Sequence, residues 1–226
     1  VSGVVEVGEP MNKNDHTFYF LRYPIGAGGA HLSNLISLDP SFAPKEPRML
    51  KDEYIGYLIN LYHSLEHTGH TAHTDANHTI NDQQWPKYIE KLDYSFANSI
   101  HQGHSASFDW VAPILQTLKN KKYISLTIND QTSVDIVRAR EKKIFNTDAL
   151  AAEYYRAELQ HYYGRWFISD NPEIVNDDIN LLIEVSDLYY NFSMVLETIN
   201  KKFNLNIPVN LANTFHNKWL DNIGYF

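Results

Sequence analysis

Apolar and aromatic positions fall into two rhythms along the chain. Short unbroken runs predict strands: FYFLRY at 18–23, YISLTI at 123–128 and LLIEV at 181–185. They are rich in β-branched, aliphatic or aromatic residues and have strand length. FANSIH at 96–101 predicts a further strand with a more polar face. Helical spacing of Leu32, Leu35, Ile36 and Leu38 predicts a helix from Ala30 to just before Asp39-Pro40. Ile55, Leu58, Ile59, Tyr62 and Leu65 predict another over 51–66. Further helices are predicted at 84–93, 107–120, 132–144 and 148–164. Another runs from the N-capping pair Ser186-Asp187 to about 202, and a last one covers 208–222 with Leu211, Phe215, Trp219 and Leu220. Between them, the three prolines Pro40, Pro44 and Pro47 mark a loop, and 68–82 is polar and irregular.

Strands alternating with helices predict an α/β fold with a three-layer parallel sheet, one domain over 1–226 with a His-rich polar excursion around 63–82. In such sheets ligands lie beyond the carboxyl ends of the strands. Four strand ends then carry the chemistry: a glycine loop after the first, His101 and His104 after the second, Asn129-Asp130 after the third and Ser186-Asp187 after the fourth.

Composition narrows the function. Hydrophobic residues make up 43% and charged residues 20% of the 226 positions, as expected of a globular chain. A formal net charge of −8 speaks against nonspecific nucleic-acid binding, which needs a cationic surface. The chain has no cysteine, so disulfides and thiolate zinc sites are excluded. No apolar run reaches the length of a membrane span, and VSGVVEVGEPM has no leader pattern, so a cytoplasmic setting without a membrane partner is expected.

The stretch YPIGAGGAHL at 23–32 is the most informative. A strand, a glycine-rich loop and a helix start aim several backbone N–H groups at one spot, where the helix dipole also favours an anion. No Walker lysine follows, because 14–44 contains no lysine, and His31 stands where a dinucleotide fingerprint has its third glycine. A tight turn that simply needs glycines is the plain alternative.

The fuller pattern, Tyr23-Pro24, a loop of small residues and Leu32, resembles the 5′-phosphosulfate loop of the P-loop sulfotransferases, Y-P-K-S-G-T-T-x-L. Gly28 falls on the family glycine and Leu32 on its leucine. The family lysine falls on Ile25 or Gly26, and its threonines on Gly29 and Ala30, so the cation and hydroxyls are missing. The resemblance implies that Gly26, Gly28, Gly29, Ala30, His31 and Leu32 hold the phosphosulfate of 3′-phosphoadenylyl sulfate. Ser133 and Arg138, with Arg140 nearby, would serve its 3′-phosphate, although Asn129 or Asp130 stands where the family has its arginine. It further implies sulfuryl transfer to a hydroxyl or amine, with His104 as the base. Divergent members of this class occur in phage genomes. A non-catalytic nucleotide-binding or structural module of the same fold, viral in setting, is the closest alternative; a nucleotide kinase is the most distant.

Histidines supply a third class. His63, His67, His70, His73 and His78 crowd one segment, and His63 and His67 share a helix face, a spacing that suits a metal. A polar excursion that happens to use histidine is the plainer reading. The run EYYRAELQHYYGRW reads as a packed helix rather than a sugar-stacking platform, and His16 and His216 suggest nothing special.

Overall fold

The computed structural model describes residues 15–23, 26–44, 49–64, 89–104, 118–145 and 180–223. The elements are β1 (Thr17–Tyr23), α1 (Gly29–Ile36), α2 (Lys51–Ser64), β2 (Asn98–His104), β3 (Asn120–Thr127), α3 (Gln131–Phe145), β4 (Asn180–Glu184), α4 (Val185–Tyr190), α5 (Phe192–Phe203) and α6 (Val209–Ile223). The helix expected at 107–120 is described only at 118–120, where Asn120 already starts β3; the helix expected at 148–164, the tyrosine-rich run and His67 to His78 lie outside the described residues.

The four strands form one parallel sheet in the order β2-β1-β3-β4, an α/β arrangement. The chain moves from β1 outward to β2, then crosses to β3 on the other side of β1. The carboxyl ends of β1 and β3 therefore flank the point where the winding reverses.

Alternation along β1 divides its side chains between two faces. Tyr19, Leu21 and Tyr23 join Ile100, Ile124, Leu126 and Ile183 in the main core, and α1, α2, α5 and α6 contribute to the same core. Phe18 and Phe20 point the other way, among His16, His101 and Tyr123. The second strand departs from expectation. It runs to His104, so His101 lies inside it rather than past its end. His16 Nε2 and His101 Nε2 both bond Ser99 Oγ at 2.8 Å, and His16 Nδ1 donates to the Phe96 carbonyl at 3.0 Å. These bonds let a polar strand be buried.

The helix expected from Ser186 to 202 is two helices. Glu184 stands at the N-cap position of α4 without a side-chain cap bond, and the chain leaves helical geometry at Asn191 (φ −124°, ψ 33°) before α5 begins. Asn191 N–H donates to the Asp187 carbonyl at 2.8 Å, closing one helix where the next starts.

A buried polar hub fixes the turn after α1. Lys51 Nζ donates to the carbonyls of Ser37, Asp39 and Phe42 at 2.6, 2.9 and 2.8 Å. Burial pulls its pKa down to about 8, against the opposing pull of Asp39. The Asp39 carboxylate accepts from the Ser41 N–H at 2.8 Å and from the Asn206 N–H, tying this turn to the α5–α6 connection. Replacing Lys51 by Met strands three carbonyls and should cost about 2–4 kcal/mol in urea unfolding. Lys51→Arg should restore little of it, because a planar fork does not fit three converging carbonyls.

Candidate functional site

The glycine loop sits between β1, an inner strand, and α1, as its sequence predicts. Gly26 and Gly28 have φ of 83° and 84°, where a side chain is strained. Gly28 is the N-cap of α1 and its carbonyl accepts the Leu32 N–H at 3.0 Å. Packing explains the glycines further. A Cβ on Gly28 would lie 2.8 Å from Trp219 Cη2 and 3.4 Å from Leu188 Cδ2, and one on Gly29 would lie 2.0 Å from the Tyr23 ring. The last helix thus seats its indole on the loop.

All eight residues of α1 are buried, not just its apolar stripe. His31 therefore faces the interior. Its ring stacks on Trp219 (4.2 Å, 10°), its Nδ1 pairs with Tyr62 Oη at 2.6 Å and its Nε2 with His216 Nδ1 at 3.1 Å. Burial raises the Tyr62 pKa and lowers that of His216 to about 4. His216 in turn stacks on Phe192 at 3.9 Å and 11°. Gly29, Ala30 and Leu32 are enclosed in the same layer, while Gly26 and Gly28 keep partial exposure, and the Gly26 carbonyl accepts the Tyr189 hydroxyl at 3.4 Å.

The ends of β3 and β4 are laced together. Glu184 accepts the Asn129 and Asp130 N–H groups at 2.6 and 3.3 Å. Asp130 caps α3 through the Ser133 N–H at 2.6 Å and also accepts the Ser186 hydroxyl at 2.7 Å. Burial pushes the Asp130 carboxyl up, but these hydrogen bonds overcome it and hold its pKa below the ordinary value. Ser133, fully buried, accepts the Ser186 N–H on its Oγ at 2.8 Å, so its hydroxyl oxygen joins α3 to α4.

Two arginines of α3 lie on different faces. Buried positions 133, 136, 137 and 140 form its inner stripe. Arg140 is on that stripe, with its guanidinium 5.7 Å from the centre of the Trp219 ring, which in turn covers Gly28. Arg138 is half-buried beside it, with Asp135 at 4.0 Å. The sequence signal for Arg140 is its spacing of seven from Ser133, two helical turns along one face. His104 ends β2, and its Cα partner across the sheet is Tyr23, the residue that ends β1. Of the histidine cluster only His63 is described, and among the described residues no group of three or more histidine, aspartate or glutamate side chains is arranged to hold a metal. No described helix is long and apolar enough to cross a membrane.

No protein-family model matches the chain, and no curated protein matches it.

Gly28→Ala should destabilise by about 2–4 kcal/mol, the sum of left-handed backbone strain and overpacking against Trp219. In a Trp219→Phe background the same change should cost about 1–2 kcal/mol less, read as the coupling in a double-mutant cycle by denaturant unfolding.

Proposed function

We propose that the chain binds a phosphorylated small molecule at the carboxyl edge of its sheet. By resemblance to P-loop sulfotransferases, the ligand is 3′-phosphoadenylyl sulfate or its product adenosine 3′,5′-bisphosphate. One observation carries the reading: a loop with glycines at 26, 28 and 29 leaves β1 at the point where the winding of the parallel sheet reverses. That is where open α/β sheets place ligands, and a helix N-terminus there favours an anion. In the catalytic form of the proposal, backbone N–H groups of the loop orient the phosphosulfate. Arg138 reaches back from α3 to the nucleotide, and His104 takes the proton of the acceptor hydroxyl or amine. The pairing of His104 with Tyr23 in the sheet register supports a base at the same edge as the loop.

A second reading is a non-catalytic binding module of the same architecture. The seat of Trp219 and Leu188 on Gly28 favours it, together with the lack of a lysine in 14–44. The space above the loop is partly filled by the protein's own side chains, and no loop ammonium meets the transferring group.

Calorimetry with adenosine 3′,5′-bisphosphate separates the outcomes. Binding by the native chain, weakened about tenfold in Arg138→Ala, supports the site. Sulfuryl transfer to a hydroxyl acceptor, lost in His104→Ala with nucleotide affinity kept, selects the enzyme. Binding without transfer selects the module. Absence of binding at millimolar nucleotide overturns both.

A further inference from the structure

A second concavity lies away from the glycine loop, between the α4–α5 corner and α6, with a volume of about 740 Å³. That is within the range of small-molecule sites. None of the loop residues 26–32 lines it. Among the residues lining it are Asn191, Asn213 and Asn217, Tyr190 and Ser193, and His216. None of the described residues lining it bears a formal charge at neutral pH.

His216 makes this groove more than a surface dip. The residue is 3% exposed, and its Nε2 is buried with no hydrogen-bonding partner among the described residues. Buried polar atoms are nearly always paired, so a lone one on a residue that lines a cavity points to an absent ligand atom. The ring is also held in place. Phe192 stacks on it, and His31 bonds its Nδ1, while His31 is itself fixed by Tyr62 and Trp219. The Nδ1 engaged by His31 leaves Nε2 on the far side of the ring.

We infer that this groove binds a neutral, polyhydroxylated ligand, a carbohydrate, with one sugar hydroxyl hydrogen-bonded to His216 Nε2. The chemistry of the walls selects that class. A phosphate or carboxylate would find no counter-charge among the lining residues. A purely apolar ligand would leave the Asn213 and Asn217 carboxamides and His216 Nε2 without a partner in the groove, while Asn191 Nδ2 already donates to Asp187 Oδ1 at 2.8 Å. The Asn213 and Asn217 carboxamides each offer two N–H donors and an acceptor oxygen, matching hydroxyls that donate and accept at once. The His31–His216 pair adds a specific reason. Burial keeps His216 neutral, and a single proton is shared along Nδ1···Nε2. When His31 donates, His216 Nε2 carries hydrogen; when His216 donates, Nε2 is an acceptor. A hydroxyl satisfies both tautomers, and an ionised oxygen only one. Tyr190 and Met194, about half exposed at the rim, give the apolar face of a sugar ring a surface to rest on.

The test uses the full chain and a panel of glucose, galactose, mannose, N-acetylglucosamine and their short oligomers, with inorganic phosphate and glucuronate as anionic controls. Long-range ¹H–¹⁵N spectra follow the His216 ring nitrogens during each titration. At least one neutral sugar should saturate and shift the Nε2 resonance, and Asn217→Ala, an exposed wall position, should weaken it about tenfold, with His216→Gln doing the same if it folds. No response to any neutral sugar at millimolar concentration would overturn the inference. So would binding that Asn217→Ala leaves unchanged, or a response to the anions alone. The outcome is independent of nucleotide binding at the glycine loop.

Discussion

The indole of Trp219 resting on the Cα of Gly28 is the contact on which the arrangement of this protein depends. It joins the last helix to the first loop, nearly the full span of the described chain. The ring meets His31 on one face, the edge of Tyr189, and the guanidinium of Arg140. Each of these belongs to a different helix, so α1, α3 and α4 take their positions about α6 from one side chain. A residue with a Cβ at position 28 would push the indole out of that seat, which is why a glycine is needed there beyond its φ of 84°. The same packing explains why α1 is buried all round: the polar His31 and Asn34 face partners rather than water.

This constraint leaves two places where the protein meets other molecules. At the carboxyl edge, Gly26 and Gly28 keep partial exposure beside strand ends that Glu184, Asp130, Ser133 and Ser186 have tied into one hydrogen-bonded lattice. That lattice makes the edge rigid, and a rigid edge suits a ligand held by backbone donors. One turn from Trp219 on α6, His216 carries the histidine pair to the lining of the second groove. The stack through Trp219 connects the two regions physically, although each has its own chemistry.

Much of this was legible in the sequence, for stated reasons. The inner strands β1 and β3 announce themselves through continuous apolar runs, because both faces of an inner parallel strand are covered; β4, at the sheet edge with Leu182 exposed, shows through its short LLIEV run. The strand–glycine loop–helix unit was equally plain. The second strand, expected at 96–101, runs from Asn98 to His104; the polar Gln102-Gly103-His104 gave no strand signal, and the burial of Ser99 and His101 rests on a network with His16, which lies far away in the chain. No local pattern announces the break at Asn191, since apolar spacing continues across it. His31 was read as a ligand contact and His216 as unremarkable. Their pairing spans 185 residues and depends on α1 and α6 meeting, which no single-sequence period encodes. Arg140 was named but passed over for Arg138, although the seven-residue step from Ser133 marks the inner face of α3.

The account requires a neutral, enclosed His216 held against His31 beneath the Trp219 stack. A pH titration of the imidazole nitrogens by NMR measures this directly. Burial without a compensating anion should keep the His216 ring neutral well below the ordinary histidine range, with protonation centred near pH 4. A midpoint close to 6.5, as in a solvated histidine, would mean that α6 does not close over the glycine loop in this way.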